Sequence, residues 1–366
     1  MKYTVIVPAY NAQDTIGPCI RSLLDQKGVK YGKDYTVLVV DDGSTDRTPE
    51  ILNTFPVEIM RLPENQGRIV ARLTGARRAQ TSRVLFVDSR VTLAQDAIAT
   101  LDSFDGHPAV MGETDQTESK YISAAQTVLY LIRRKYYRKG TFPVEDEFTI
   151  TEQNFKRAAK GTTVLLIDRE LFIKLTPERT GKDVNDDTLL FRNLVFGQKI
   201  GLFRSRRLYY TYSQRTDARQ FTGWLFHRGV RFSDFYLRPG GYFHLPFLLL
   251  VAAMAALIAW AFIAGGMVYL AALAIGADAA ISLYLSEERR DFIRVLFGLP
   301  PIVIIFGGGI ASFWAKMLSR APEKTAGASF AAIKPGTSLP RPGSINTPNS
   351  LPPALRGCDP EVDDLP

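Results

Sequence analysis

The sequence predicts an α/β domain built on a mostly parallel sheet, followed by an α-helical membrane region. Short apolar runs alternate with helix-period segments as far as Asp88, the pattern of a parallel sheet with crossover helices. An excess of apolar residues then lies between Leu245 and Leu318, broken by the polar loop SEERRD (286–291). After it, residues 320–366 hold nine of the 21 prolines with little periodicity, the composition of a disordered tail. The expected divisions are 1–235 for the α/β domain, 236–318 for the membrane region and 319–366 for the Pro-rich tail.

Residues 3–7 (YTVIV) predict a buried strand closed by Pro8. Ile16, Ile20, Leu23 and Leu24 recur at helical spacing within 13–27, so a helix follows. TVLVV (36–40) predicts a second strand and VEIMRL (57–62) a third. Between them lies a helix near 46–54 with Thr45 or Asp46 as N-cap. A helix over 66–80 leads to a fourth strand, RVLFVD (83–88). Ligands of such sheets bind beyond the carboxyl ends of the strands, where DDGSTD and DSR fall. Residues 95–160 show no clear pattern apart from a helix over 126–140 with a basic, aromatic end. It is read as a solvated surface helix or as one meeting anionic headgroups at a membrane interface. TTVLLIDRELF (162–172) predicts strand then helix, and 183–203 an acidic start, a helix and a strand.

A bilayer-spanning helix needs about 20 apolar residues. The C-terminal stretch provides two such segments, 245–264 and 267–285, with a turn near Gly265-Gly266. A third, 292–315, is interrupted by Arg294 and Pro300-Pro301. Arg228, Arg231 and Arg238 before the first segment, and Arg289, Arg290 and Arg294 after the second, fit the cytosolic side. Three full spans would put Lys316, Arg320 and Lys324 outside, against that rule. A re-entrant third segment and an overridden bias both remain open.

Composition excludes several classes. With 46% hydrophobic and 22% charged residues, the chain is neither wholly disordered nor a disulfide scaffold. Cys19 and Cys358 stand near opposite ends and read as free thiols. His107, His227 and His244 have no paired spacing, which argues against a histidine-based zinc site. The net charge of +8 suits anionic lipid or anionic small substrates. No nucleic-acid signature accompanies it. The run after Met1 is too short for a signal peptide, so the N-terminal domain is expected in the cytosol.

VIVPAYNA (5–12), VVDDGSTDRT (39–48), NQGRIVARLTGARRA (65–79), FVDSRV (86–91) and NDDTLLFR (185–192) occur in this order. Together with RQFTGWLFHRG (219–229), they closely resemble the family 2 glycosyltransferases over roughly residues 3–235. The resemblance implies a GT-A fold, a Rossmann-like and mostly parallel sheet, binding a nucleotide sugar. Members with C-terminal membrane helices include polyprenyl-phosphate sugar transferases.

A nucleotide sugar offers a base, a ribose and a diphosphate. Pro8 and Tyr10 would lie near the base, where Tyr10 gives a flat face. Asp41 and Asp42 can accept from a uracil N–H or ribose hydroxyls, although Asp42-Gly43-Ser44 also suits a plain Asx-turn. Arg68 and Arg72, one helical turn apart, can face a diphosphate or simply line a solvated helix face. The family's Asp-x-Asp, which holds Mg²⁺ or Mn²⁺, reads Asp88-Ser89-Arg90 here. Asp88 alone would hold the metal, or Arg90 would neutralise the leaving group, or Arg90 turns away into a salt bridge. By resemblance Asp187 is the catalytic base of an inverting transfer. Asp186 beside it would raise one of the two pKa values. Both acids also suit helix N-terminal capping. Arg219, Trp224, His227 and Arg228 stand where the family often has Gln-x-x-Arg-Trp, without the strict form. They would contact a diphosphate or acceptor phosphate, or serve as juxtamembrane anchors.

The expected activity is transfer from a nucleotide sugar, by default a UDP-sugar, to polyprenyl phosphate or a lipid-linked glycan. The site would be cytoplasmic, on a multi-pass inner-membrane protein. The alternatives are extension of a capsular or exopolysaccharide chain, an inactive nucleotide-sugar-binding scaffold, and a structural or flipping role suggested by Asp278 in a membrane segment. Gly307-Gly308-Gly309 would permit close helix contacts, including those of a homo-oligomer.

Overall fold

A computed structural model describes residues 1–114, 123–137, 147–156, 158–176, 186–213, 217–239 and 243–319. The expected tail, Asn185 and the side chain of Asp186 lie outside the described residues. Four parallel strands begin the sheet: β1 (Tyr3–Ala9), β2 (Tyr35–Asp41), β3 (Glu58–Arg61) and β4 (Arg83–Val87). They stand in the order β3-β2-β1-β4. The chain steps outward from β1 through β2 to β3 and returns to the other side of β1 as β4. That reversal places a topological switch point at the carboxyl ends of β1 and β4.

Every residue of β1 is buried, as expected for a parallel strand covered on both faces. On one face α1 (Ile16–Leu24) packs through Ile16, Cys19, Ile20 and Leu23. Burial pushes the Cys19 thiol up to about 12, helped by Asp88, so it is an inert core residue. On the other face lies α3 (Arg68–Arg78), with Ile69, Ala71 and Ala76 in the second core. Between these helices comes the short α2 (Thr48–Leu52). Its N-cap is Arg47 rather than the expected Thr45 or Asp46, and Asp46 Oδ1 accepts from Thr48 N at 2.9 Å.

Beyond β4 the sheet becomes mixed. β5 (Val91–Leu93), β6 (Ala109–Glu113), β7 (Phe148–Ile150), β8 (Val164–Asp168) and β9 (Leu202–Tyr212) complete it. β8 runs antiparallel between β4 and β6, and β9 runs parallel to β6. β5 and β7 both pair with β9 in antiparallel fashion. This half follows from pairing with distant strands and left little periodicity in the sequence. The helices that accompany it are α4 (Ala124–Tyr137), α5 (Arg169–Leu175), α6 (Asp186–Arg192) and α7 (Ala218–Phe232).

Three apolar helices follow: α8 (His244–Ile263), α9 (Met267–Leu285) and α10 (Arg289–Ser319). Each is long and apolar enough to cross a membrane. Between α8 and α9, Gly265 adopts φ 64° and Gly266 N donates to Ala261 O at 2.6 Å, which is the expected tight turn. α10 is longer than the expected 292–315. It continues through Pro300 and Pro301 because α4 and α7 brace it. Val295, Leu299 and Ile302 join Val128 and Leu131 of α4 and Leu225 of α7 in a third apolar core.

Two glycine crossings fix that packing. A Cβ on Gly298 would lie 2.6 Å from the Ala124 carbonyl, and one on Gly309 would overlap the Phe226 carbonyl. Gly229 faces the Phe306 carbonyl just as closely. Gly309, expected to permit close helix contacts, makes one with α7 of its own chain. Gly229→Val should therefore push α7 off α10 and cost about 2–3 kcal/mol. Thermal unfolding and limited proteolysis of the detergent-solubilised protein measure this.

Candidate active site

Three turns interlock at the carboxyl ends of β1 and β2. The Asp42-Gly43-Ser44 turn lies against the residues that precede α3. Asp42 accepts from Gln66 N at 2.7 Å through Oδ1 and from Gly67 N at 2.9 Å through Oδ2. Gly43 has φ 69°, and a Cβ there would stand 2.6 Å from the Glu64 carbonyl carbon. Only glycine satisfies both conditions. The loop after β1 is drawn in as well. Asn11 N donates to Ser44 Oγ at 3.0 Å, and Thr45 N donates to Asn11 Oδ1 at 2.9 Å. Asp41 is buried beneath the turn, accepting from Ser44 N at 3.0 Å and paired with Arg61 at 3.5 Å. Pro8 is buried at the end of β1, whereas Tyr10 projects 44% exposed beside this cradle. Asp41 and Asp42 thus shape the pocket edge chiefly by holding backbone.

α3 runs from this cradle toward the end of β4. Arg68 is half-exposed, but Arg72 one turn later has a side chain with no exposed surface. Arg72 donates to Asp88 Oδ1 at 2.6 Å and to the Thr162 carbonyl at 3.2 Å. It also stands 3.5 Å from Asp187 Oδ1. Arg68 donates to Asp187 Oδ2 at 3.0 Å, and the Thr162 hydroxyl donates to Asp187 Oδ1 at 2.8 Å. Four side chains from α3, β4 and α6 therefore form one continuous chain, Arg68–Asp187–Arg72–Asp88. Complete burial makes Arg72 a strut for two carboxylates rather than an open diphosphate contact.

Asp186, expected to raise one pKa of the acidic pair, has its side chain outside the described residues. Burial does push Asp187 upward, but Arg68, Arg72, the Thr162 hydroxyl and Arg231 outweigh it and hold the carboxyl below its ordinary value. Thr162 escaped the sequence reading, and Arg231 was read there only as a cytosolic-side charge. Thr162 sits in an unremarkable GTT run before β8, and Arg231 lies 44 residues beyond Asp187 in α7.

α7 carries a polar stripe. Gln220, Trp224, His227 and Arg231 recur at helical spacing. Gln220 Oε1 accepts from Arg90 at 3.4 Å, joining the start of α7 to the turn after β4. The Arg228 guanidinium lies over the Trp224 ring at 4.6 Å from its centroid. His227 and Arg219 are exposed. The opposite stripe, Leu225 and Gly229, is buried toward α10.

Metal-holding capacity is modest. Among the described residues no three His, Cys, Asp or Glu side chains gather in one place. Asp88 is the carboxylate at the end of β4, and Arg72 occupies its Oδ1. A divalent cation here would draw its remaining oxygen ligands from the diphosphate and water, as Mg²⁺ commonly does.

Arg68→Ala should raise the Asp187 pKa toward the ordinary carboxylate value, measurable by carboxyl-carbon NMR titration. A depressed folded-state pKa contributes stability above the unfolded value, and that contribution is lost as pH falls through the folded one. The variant's stability deficit should accordingly be present at neutral pH and shrink below about pH 4.

Comparison with known proteins agrees with this geometry. Glycosyl transferase family 2 matches residues 4–151. A putative teichuronic acid biosynthesis glycosyltransferase, TuaG of Bacillus subtilis, is 31% identical over 142 residues, covering 35% of this chain and 54% of that one. The poly(ribitol-phosphate) beta-glucosyltransferase of Bacillus spizizenii is 34% identical over 104 residues, covering 27% of this chain and 16% of that protein. The chain thus spans about half the length of the first relative and less of the second. The mannosyltransferase PcManGT from Pyrobaculum calidifontis, solved with GDP-Man and Mn²⁺, superposes with a TM-score of 0.53. It is 20% identical, with 83% of this chain and 86% of that one covered, and the likeness concerns the fold. Residues 4–151 thus match glycosyl transferase family 2, and the fold is GT-A-like.

Proposed function

We propose that the protein transfers a glycosyl unit from a nucleotide sugar, by default a UDP-sugar, to a phosphate-bearing lipid or lipid-linked glycan. The work would be done at the cytoplasmic face of the inner membrane. The observation that carries this proposal is the Arg68–Asp187–Arg72–Asp88 chain at the switch point of the sheet. Tyr10 and the interlocked turns beside it would receive the base and ribose. Arg68 and Arg90 would meet the diphosphate. Arg68 and Arg72 pair with the carboxylates of Asp88 and Asp187, Arg231 acts on Asp187, and Arg90 stands in the turn after β4, a balance suited to anionic ligands.

In the inverting reaction the acceptor oxygen forms a bond to the anomeric carbon while the bond to the diphosphate oxygen breaks. The electron pair leaves with the nucleoside diphosphate. A neutral acceptor hydroxyl would pass its proton to Asp187. The depressed pKa makes Asp187 a weak base, which favours an acceptor that is already anionic, such as polyprenyl phosphate. Asp187 would then chiefly hold Arg68 and Arg72 in position, and His227, Arg228 and Arg219 on α7 would lie on the acceptor's approach. Asp88 would hold Mg²⁺ or Mn²⁺, whose chemistry is to neutralise the leaving diphosphate. The names of the relatives favour a second reading, extension of a cell-envelope polymer.

The test is nucleotide release by the purified full chain in detergent with native lipid extract. UDP-, GDP- and dTDP-sugars are each assayed with Mg²⁺, Mn²⁺ or EDTA. Lipid-dependent turnover is expected with one donor, with kcat lowered about 100-fold or more in Asp187→Asn. Loss of turnover in EDTA would support a cation on Asp88, and its retention would assign that work to Arg90. Nucleotide binding without turnover of any donor would point to an inactive binding scaffold.

A further inference from the structure

α10 presents two unlike faces along its whole length. Val295, Gly298, Leu299, Ile302 and Gly309 are buried, against α4 near Gly298 and against α7 near Gly309. On the other side Ile293, Phe297, Ile304 and Leu318 are 59%, 71%, 72% and 79% exposed. Their spacing of four, seven and fourteen residues keeps them on one stripe. From Ile293 to Leu318 the exposed stripe is apolar, with Arg289 one turn ahead of it, and the opposite face is occupied from Val295 to Gly309.

If α10 stood along the bilayer normal, α4 and α7 would enter the hydrocarbon beside it. They flank it from Val295 to Gly309, about 21 Å of helix. Exposed Arg219, His227 and Arg228 of α7 would go with them, a placement that lipid disfavours strongly.

The neighbouring helices fix the direction. Trp314 stacks on His244 and Phe247 at the start of α8, at 5.7 and 5.9 Å. α9 ends at Leu285, four residues before α10 begins. The two ends of the α8–α9 hairpin therefore meet α10 about 38 Å apart. Helices of about 30 and 28 Å joined by a tight turn reach such separated points by splaying, with α10 as the base and Gly265-Gly266 at the apex. Both ends of α10 are basic, with Arg289, Arg290 and Arg294 at one and Lys316 at the other. Laid flat, the helix keeps every one of these charges on the cytosolic side, as the positive-inside rule requires.

We propose that α10 does not span the membrane but lies in the plane of its cytosolic interface, with Ile293, Phe297, Ile304 and Leu318 among the acyl chains, so that only the α8–α9 hairpin enters the bilayer. The occupant of the exposed stripe is the lipid surface. α10 then serves as a platform that holds the polar stripe of α7 at headgroup level. The proposal concerns how the chain sits on lipid and stands whatever donor it uses.

Arg294→Cys and Lys316→Cys, each in a Cys358→Ser background, test it in oriented membrane vesicles. Cys19 is buried and stays silent. A membrane-impermeant maleimide should label both positions from the same side as a Lys33→Cys control in the α/β domain. Labelling of 294 and 316 from opposite sides would overturn the proposal. Nitroxides at 293, 304 and 318, in vesicles of phosphatidylethanolamine and phosphatidylglycerol, give a second readout. Similar shallow depths are expected at all three. A depth maximum at 304 would mean a span, and shielding from both lipid- and water-soluble quenchers would mean cover by a second copy, each of which refutes it.

Discussion

A single buried guanidinium organises the site. Arg72 has no exposed side-chain surface, yet it touches the end of β4 through Asp88, the loop before β8 through the Thr162 carbonyl, and α6 through Asp187. These segments are distant in sequence and converge around that charge. A buried cation without partners would be prohibitively costly, so the fold must bring the two carboxylates to it. The same requirement holds the carboxylates in place when no substrate is present. Arg68 and the Thr162 hydroxyl then complete the orientation of Asp187. The result is a preorganised set of charges at the switch point of the sheet.

The second dependence runs from the site to the membrane region. α7 has one polar stripe and one packed stripe. The first reaches Arg90 through Gln220 and acts on Asp187 through the charge of Arg231. The second is pinned to α10 by the Gly229–Gly309 crossing, where two backbones touch without side chains between them. A displacement of α10 would therefore carry α7 with it, because close-packed interfaces shift as units rather than deform. The apolar helix α10 and the site geometry are coupled through one helix crossing.

Much of the fold was legible because the signals were local. The strands at 3–7, 36–40 and 83–88 and the helices at 13–27 and 66–80 announced themselves by burial on both faces or by helical spacing. The observed elements fall within a few residues of those bounds. β5, β6 and β7 did not, because short strands paired with distant partners need no periodicity of their own. The chemistry-bearing segments were legible for a similar reason: Asp-Gly-Ser with a glycine at positive φ is a local backbone requirement. Which group each carboxylate would serve was not local. Asp42 looked available to a ligand, and the fold commits both its oxygens to the backbone of residues 66 and 67.

By itself the sequence determined the parallel half of the sheet, the order of the acidic and basic motifs, and the presence of three helices able to enter lipid. Each of these follows from side-chain periodicity, turn chemistry or apolar length, which act within a few residues along the chain. Tertiary structure decided that Arg72 is a strut, that Asp187 sits between two arginines that lower its pKa, and that α10 packs on α4 and α7. Those outcomes depend on charges and backbones brought together from residues far apart in the chain. A fully buried guanidinium and a glycine-to-glycine helix crossing exist only once the chain has folded.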